Sequence, residues 1–288
     1  MKAIDILAIL VVISIILIPV WIFFIEPSLN LYSTDFNYKA DLISRDNFYD
    51  KEKNTFTGEI LTDSSLNYEI VDQKNNILII KNSFDVKKPN GDKVISINRL
   101  YGIDQKNGKH ISKYGDKNRN GYLFSPNNLE KEDFNYWHVN YDNPINMKFM
   151  SEEEISGLKV YRYESEFQAD QTKDLTNLPN VGKSLGIVLD VSLITWVEPY
   201  SGHLVKYEDN AIAYYYNLKT KQKLYPWNKF RNTFTFDSTV KHIREAQQEK
   251  EDIIIEEKII PIILIIISLS SLLALIIGNK LLSKIRNK

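Results

Sequence analysis

GIVLDVSLITWV, residues 186–197, decides the fold class. Successive side chains of a β-strand point to opposite faces of the sheet. The odd-numbered residues from Ile187 to Val197 are apolar apart from Thr195, whereas Asp190 and Ser192 make the other face half polar. This pattern predicts a strand that packs one face on a core.

The residues that follow predict a hairpin. Pro199, Tyr200, Ser201 and Gly202 form a turn-prone sequence, and HLVKYEDN continues as a second strand. Pro199 cannot donate to a strand ladder, and Gly202 can adopt the positive φ of a tight reversal. Because Trp196 lies on the half-polar face, we expect another element to cover part of it.

Similar short runs of β-branched and aromatic residues recur along the chain, with turn signals such as Asn120-Gly121 between them. Further predicted strands lie at 77–80, 94–101, 160–167 and 203–207. This spacing is typical of an antiparallel meander. We therefore predict a mainly β fold with a curved or barrel-like antiparallel sheet. Residues 171–184 are predicted to be a connecting loop, with a lid or contact loop as the alternative.

Two long apolar stretches lie at opposite ends of the chain, at 4–25 and at 259–277. A helix of about 20 apolar residues crosses the hydrocarbon core of a bilayer, and a cleavable signal peptide has a shorter apolar region. Both stretches therefore predict transmembrane helices, the first of them an uncleaved signal anchor. The alternative is a pair of core helices in a soluble protein, which rarely run this long without a charge.

The charges beside these stretches predict the topology. Residues 280–288 carry only positive charge, and Lys2 precedes the first stretch. Positive flanks stay cytoplasmic. We predict a two-pass protein of the cell membrane with both termini cytoplasmic and the large domain extracytoplasmic. Its predicted parts are an anchor at 1–27, a β-rich domain at 28–237, a juxtamembrane helix at 238–258, a transmembrane helix at 259–279 and a basic tail at 280–288.

Composition and motifs argue against several function classes. The 36 Lys and Arg residues nearly balance the 37 Asp and Glu residues, so no global field favours nucleic acid. The chain has no cysteine, which excludes disulfides and thiolate chemistry. We find no nucleophile elbow, zinc-protease motif, phosphate loop or dinucleotide fingerprint. We predict a non-enzymatic protein without a cofactor and assign no catalytic, cofactor-binding or metal residue; its ligand-binding residues stay unassigned.

Histidines and paired acids are the remaining candidates for chemistry. Glu164 and Glu166 share one strand face, as solvated surface residues often do. The histidines show no metal-ligand spacing in the sequence and are predicted to lie on the surface: His110, His138, His203 and His242.

One stretch resembles the first half of a calcium loop. From Asp116 to Gly121, oxygen-bearing side chains alternate before a glycine. The closing glutamate is missing, because Asn127 stands at the twelfth position, and Lys117 and Arg119 add opposing charge. A simple turn at Asn120-Gly121 explains this stretch better than a calcium site.

Three stretches carry a family resemblance: GYLFSPNNLEKEDFNYWHVN at 121–140, EEEISGLKVYRY at 152–163 and TWVEPYSGHLVKYED at 195–209. Their order and spacing resemble the porin PorA-like family of membrane ectodomains, a family of unknown function. The resemblance implies an N-terminal anchor, a β-rich ectodomain and a C-terminal span. His138 stands where the family usually has an acid. The word porin need not imply a pore of strands, since a membrane barrel needs no helical anchors.

The expected function is that of a cell-surface module that binds or organises an envelope component, a lipid or a neighbouring membrane protein. The alternative is a carrier that encloses an apolar, lipid-like ligand within the sheet. Aromatic residues would then line its cavity, among them Tyr161, Tyr163, Trp196 and Tyr214 to Tyr216. A continuous internal cavity would favour the carrier, and a packed interior would favour the module.

Overall fold

The computed structural model describes residues 3–29, 36–88, 90–91, 93–172, 182 and 184–286. These residues form two compact units. One unit contains the two chain ends, Met1–Leu31 and Glu249–Lys288, and the other contains Tyr32–Gln248. The predicted loop at 171–184 lies largely outside the described residues, and so do Pro89 and Asp92.

The larger unit is built on one antiparallel sheet of eleven strands, which confirms the predicted mainly β fold. Its order is β5-β4-β3-β2-β1-β11-β10-β9-β8-β7-β6. Most strands pair with their sequence neighbours, as in a meander, and β1 pairs with β11 at the centre. The bounds are β1 (Asn37–Asp50), β2 (Thr55–Lys74), β3 (Ile77–Lys87), β4 (Lys93–Asp104), β5 (His110–Gly115), β6 (Phe134–His138), β7 (Asn143–Ile155), β8 (Leu158–Asp170), β9 (Leu185–Val197), β10 (Leu204–Asn217) and β11 (Lys223–Phe234).

A short segment links the two edges of this open sheet. The backbone N–H of Tyr122 donates to Asn135 O at 3.0 Å, and Trp137 N–H donates back to Tyr122 O at 2.7 Å. Towards the other edge, His110 N–H donates to Gly121 O at 2.9 Å. Strand β5 begins at His110 and β6 contains Asn135, so Gly121 and Tyr122 are hydrogen-bonded to both edge strands of the open sheet.

Strand β9 has the predicted two faces. The odd-numbered side chains from Ile187 to Val197 are all buried. Strand β10 pairs with β9 through the predicted hairpin, and Gly202 has a φ of +71°. The second strand is longer than predicted and continues to Asn217. Asp209 lies on the buried face of this strand. It therefore interrupts the row of apolar side chains that the buried face of an ordinary strand shows.

A helix follows the sheet directly. Helix α3 (Phe236–Ile254) begins two residues earlier than predicted, because the Thr235 hydroxyl accepts the Ser238 N–H at 3.1 Å and caps the helix. Asp237 and Ser238, which are also residue types that cap helices, lie inside the first turn. Ile243 of α3 packs in a cluster with Trp196, which confirms that another element covers this tryptophan.

The unit of the chain ends is helical. It contains α1 (Ala3–Val20), a π-helical turn (Trp21–Ile25), the short α2 (Glu26–Leu29), a second π-helical turn (Ile255–Ile259) and α4 (Ile260–Arg286). Helix α1 packs along α4. The Trp21 indole N–H donates to Glu256 O at 3.2 Å, so the end of α1 lies beside the start of α4 and the two helices run antiparallel.

The two apolar helices differ in whether they are long enough to span a membrane. In the described chain, the continuous helix Phe236–Gly278 is long and apolar enough to cross a membrane. The N-terminal apolar helix in the described residues, Val11–Ile25, is shorter.

Candidate functional sites

The interior of the curved sheet is packed. Its core joins side chains from strands on both sides of the β1–β11 pair, with fully buried residues such as Leu78, Tyr101, Tyr163 and Leu193. A pocket in this core, beside Tyr68, measures only about 30 Å³. A volume of this size suits about one water molecule.

The aromatic residues expected of a carrier do not line one cavity. Tyr161 and Tyr163 belong to the main core. Trp196 packs instead in the separate cluster that contains α3 residues, and its indole N–H donates to the Glu153 carboxylate at 2.8 Å. Tyr215 contacts a third cluster, near Trp227. Four of the expected aromatic residues therefore lie in three separate packing clusters: Tyr161, Tyr163, Trp196 and Tyr215.

A fully buried carboxylate lies near the middle of the sheet. Asp209 on β10 accepts the Tyr141 hydroxyl at 2.6 Å. The hydroxyl of Tyr207, two residues earlier on the same strand, lies 2.8 Å from His138 Nε2. His138 Nδ1 accepts the Asn140 N–H at 3.2 Å, so the imidazole proton sits on Nε2 and is donated to Tyr207. Tyr207 can then donate its own proton to Asp209.

No cation balances this carboxylate among its hydrogen-bond partners in the described chain. Burial raises the pKa of Asp209 to about 6, although hydrogen bonds from Tyr141, Asn232 and Tyr207 act to lower it. Burial also lowers the pKa of His138 to about 3, so this histidine is neutral at pH 7. The cluster is therefore a set of neutral donors around one acid that titrates at mildly acidic pH.

A second buried carboxylate lies in a cation-rich cluster. Asp142 accepts the Arg119 Nε–H at 3.1 Å and the Trp137 indole N–H at 2.9 Å. Arg99 Nε lies 3.6 Å from its other oxygen, and Lys117 forms an ion pair with the same oxygen. Burial acts to raise the pKa of Asp142, but the hydrogen bond from Lys117 and the charge of Arg99 outweigh it, and the pKa is lowered below its usual value.

The stretch that resembles a calcium loop, residues 116–121, contributes side chains to this same cluster. The Asp116 carboxylate lies 2.5 Å from the Arg119 guanidinium. Asn118 Oδ1 accepts the Lys113 N–H at 3.1 Å. The side chain of Arg119 is 2% exposed and occupies the place of a cation beside Asp116. This arrangement supports the interpretation of residues 116–121 as a structural turn.

The histidine prediction was wrong about exposure. His138 and His242 are fully buried, and His110 and His203 are half-buried. His203 and His242 also meet in space, with His203 Nε2 3.0 Å from His242 Nδ1. The sequence concealed this contact because 38 residues separate the two positions.

An open groove crosses strands β8 to β11. It has a volume of about 540 Å³ and mixes polar and apolar side chains. Its polar residues include Glu166, Gln168, Asp190, Ser192, Asn210 and Lys229. Of the two predicted surface acids, Glu166 lines this groove, and Glu164 pairs with Arg162.

The comparison with protein families now decides the assignment. The family described as porin PorA matches residues 9–277. The chain belongs to the porin PorA family. No curated protein matches it. Membership of the porin PorA family indicates a membrane or cell-envelope protein, and the long apolar helix of the chain agrees with that location.

Proposed function

We propose that this porin PorA family member is a non-enzymatic envelope protein with two membrane spans and an extracytoplasmic β-domain. In this proposal the domain binds or organises an envelope component or a neighbouring membrane protein. Both chain ends lie in the cytoplasm, and the N-terminal helix is an uncleaved anchor.

The antiparallel packing of α1 against α4 supports the two-span topology. The contact between Trp21 and Glu256 lies at the end of one apolar helix and at the start of the other. Two antiparallel spans put both chain ends on the same side of a membrane. The basic residues beyond α4 favour the cytoplasmic side for that end.

The packed interior is the observation that carries the choice of a contact module. A carrier for a lipid-like ligand needs an enclosed volume of several hundred cubic ångströms. The pocket in the core beside Tyr68 holds about 30 Å³, whereas the open groove on β8 to β11 holds about 540 Å³. A groove that is open and partly polar favours contact with the surface of a larger partner.

Site-specific crosslinking in cells tests this proposal. A photoreactive residue at Ser192 lies in the groove, and one at Leu61 on β2 provides a matched position on an exposed part of the same sheet. We expect Ser192 to capture one envelope protein or lipid species reproducibly and Leu61 to capture none. Mass spectrometry of the crosslinked product identifies the partner. Equal capture at both positions, or none at either, would contradict the groove as the contact surface.

A further inference from the structure

Three potential metal ligands meet where the β9–β10 hairpin contacts helix α3. His203 lies in the hairpin loop, immediately before β10. His242 and Glu245 are three residues apart on α3 and share one face of that helix. The hydrogen bond from Asp41 N–H to the Ser238 hydroxyl, at 2.8 Å, fixes the first turn of α3 against β1. The capped helix therefore holds its two ligands towards the hairpin.

The distances between the ligand atoms match those around a tetrahedral metal ion. His203 Nε2 and His242 Nδ1 are 3.0 Å apart, His242 Nδ1 and Glu245 Oε2 are 3.1 Å apart, and His203 Nε2 and Glu245 Oε2 are 3.7 Å apart. Zinc binds histidine nitrogen and carboxylate oxygen at about 2.0–2.2 Å, which in a tetrahedron separates neighbouring ligand atoms by about 3.3–3.5 Å. The three observed distances bracket this value. Among the described residues, these three side chains are the histidine and acidic group whose ligand atoms lie close enough together to hold one metal ion.

The surroundings prepare His242 to bind a metal. Its ring stacks on Tyr38, with the centroids 4.4 Å apart and the planes at 12°. The centroid of the Phe234 ring lies 5.5 Å from that of the His242 ring. These two rings hold the His242 imidazole in place, with its Nδ1 towards His203 Nε2 and Glu245 Oε2.

Glu245 supplies the negative charge of the group. One of its oxygens faces the two histidines, and Lys241 Nζ lies 3.6 Å from the other. Lys241 also donates to Lys39 O at 3.0 Å, which ties it to β1. A divalent cation would therefore meet two imidazole nitrogens and one carboxylate oxygen.

We propose that His203, His242 and Glu245 form a binding site for a divalent transition metal of the zinc type. Three protein ligands leave a fourth position for water or a ligand from outside the chain. The bound ion would crosslink the β9–β10 hairpin to α3. It would therefore stabilise the base of the helix that leads to the apolar segment.

Metal titration of the full-length chain tests the site. The protein is purified in mild detergent through a tag without histidine, stripped with chelator and titrated with Zn²⁺ against a chromophoric chelator. Because the chain has no cysteine, a visible Co²⁺ spectrum reports nitrogen and oxygen ligands only. We expect one tightly bound ion per chain, a four- or five-coordinate Co²⁺ spectrum, and a rise in melting temperature with Zn²⁺.

The variants His203→Gln and Glu245→Gln each remove one ligand at a partly exposed position, and circular dichroism checks that they fold. We expect each to weaken Zn²⁺ binding by at least about tenfold and to remove the Co²⁺ spectrum. His110→Gln is the matched control, since His110 lies beside Trp137 at the sheet edge, and it should bind as the wild type does. A wild-type chain that binds no ion, or binding that survives either ligand substitution in the folded protein, overturns the proposal.

Discussion

Two neighbouring residues in the β6–β7 turn serve two buried clusters of opposite electrostatic character. The Tyr141 hydroxyl binds Asp209, a carboxylate whose hydrogen-bond donors are neutral tyrosine and asparagine residues. The carboxylate of Asp142 binds Arg99 and Arg119, and both guanidiniums are almost fully buried. Burial is common to both acids, so the charge of the neighbours decides which of them stays ionised.

The difference shows how one sheet interior holds two kinds of carboxylate. Burial raises the pKa of Asp209 to about 6 because no guanidinium offsets the loss of water. At Asp142 the nearby cations overcome the same cost and lower the pKa. The cation-rich cluster should therefore hold the sheet edge at all pH values above about 4, whereas the acid–tyrosine cluster should weaken as the pH rises.

The largest expected effect is the loss of charge at Asp142. Its φ is +47°, a conformation that asparagine also tolerates, so Asp142→Asn changes the charge without straining the backbone. Two buried guanidiniums would lose their shared anion, and we expect the free energy of unfolding to fall by about 3–5 kcal/mol. Denaturant unfolding followed by circular dichroism measures it. Asp72→Asn, at an exposed ion pair, is the control and should change stability by less than about 0.5 kcal/mol. An equal change in both variants would contradict the difference between the clusters.

The next effect concerns pH and Asp209. The folded pKa, about 6, lies above the ordinary value of 3.8, so between these values the folded state binds a proton that the unfolded state has lost. The contribution of Asp209 to the free energy of unfolding is therefore fully present below pH 4. It falls by about 3 kcal/mol as the pH rises to about 6. Asp209→Asn should remove that slope. A stability difference between wild type and variant that stays constant from pH 4 to pH 7 would show that Asp209 does not titrate in this range.

A smaller effect is expected from the tyrosine that joins the two clusters. Tyr141→Phe removes one donor from Asp209 and leaves the ring in its cluster. We expect a loss of about 1 kcal/mol at pH 5, where the acid is protonated, and a larger loss at pH 7, where the hydroxyl faces a charge. Melts of the variant at the two pH values measure the difference. The same loss at both values would mean that the charge on Asp209 does not change between them.

The sequence predicts the sheet well and the clusters poorly, for a physical reason. Strand β9 and the turn at Gly202 follow local rules of alternation and backbone conformation, and both were confirmed. Buried polar residues break that alternation: Asp209 looks like the surface residue of an ordinary strand, and β10 was predicted too short for this reason. A tyrosine two residues before a buried acid is a weak signal that could have marked the cluster.

No local sequence pattern predicts which distant segments of the chain come into contact. His203 and His242 come together because the hairpin loop and the first turns of α3 both contact the start of β1, where the Tyr38 ring lies beside both imidazoles. Arg119 Nε lies 3.1 Å from Asp142 Oδ1, although 23 positions separate the two residues in the sequence. The helix begins two residues earlier than predicted because Thr235, as well as Asp237 and Ser238, can cap a helix, and it is the Thr235 hydroxyl that accepts the Ser238 N–H.

The most direct test of the account is the sidedness of the chain. The sequence has no cysteine, so Asn107→Cys, in the exposed turn between β4 and β5, and Asn287→Cys, near the C-terminus, each introduce a single reactive thiol. A membrane-impermeant maleimide is applied to intact cells and, in parallel, to permeabilised cells. The account predicts that Asn107→Cys is labelled in both and that Asn287→Cys is labelled only after permeabilisation. Labelling of Asn287→Cys but not of Asn107→Cys on intact cells would contradict it.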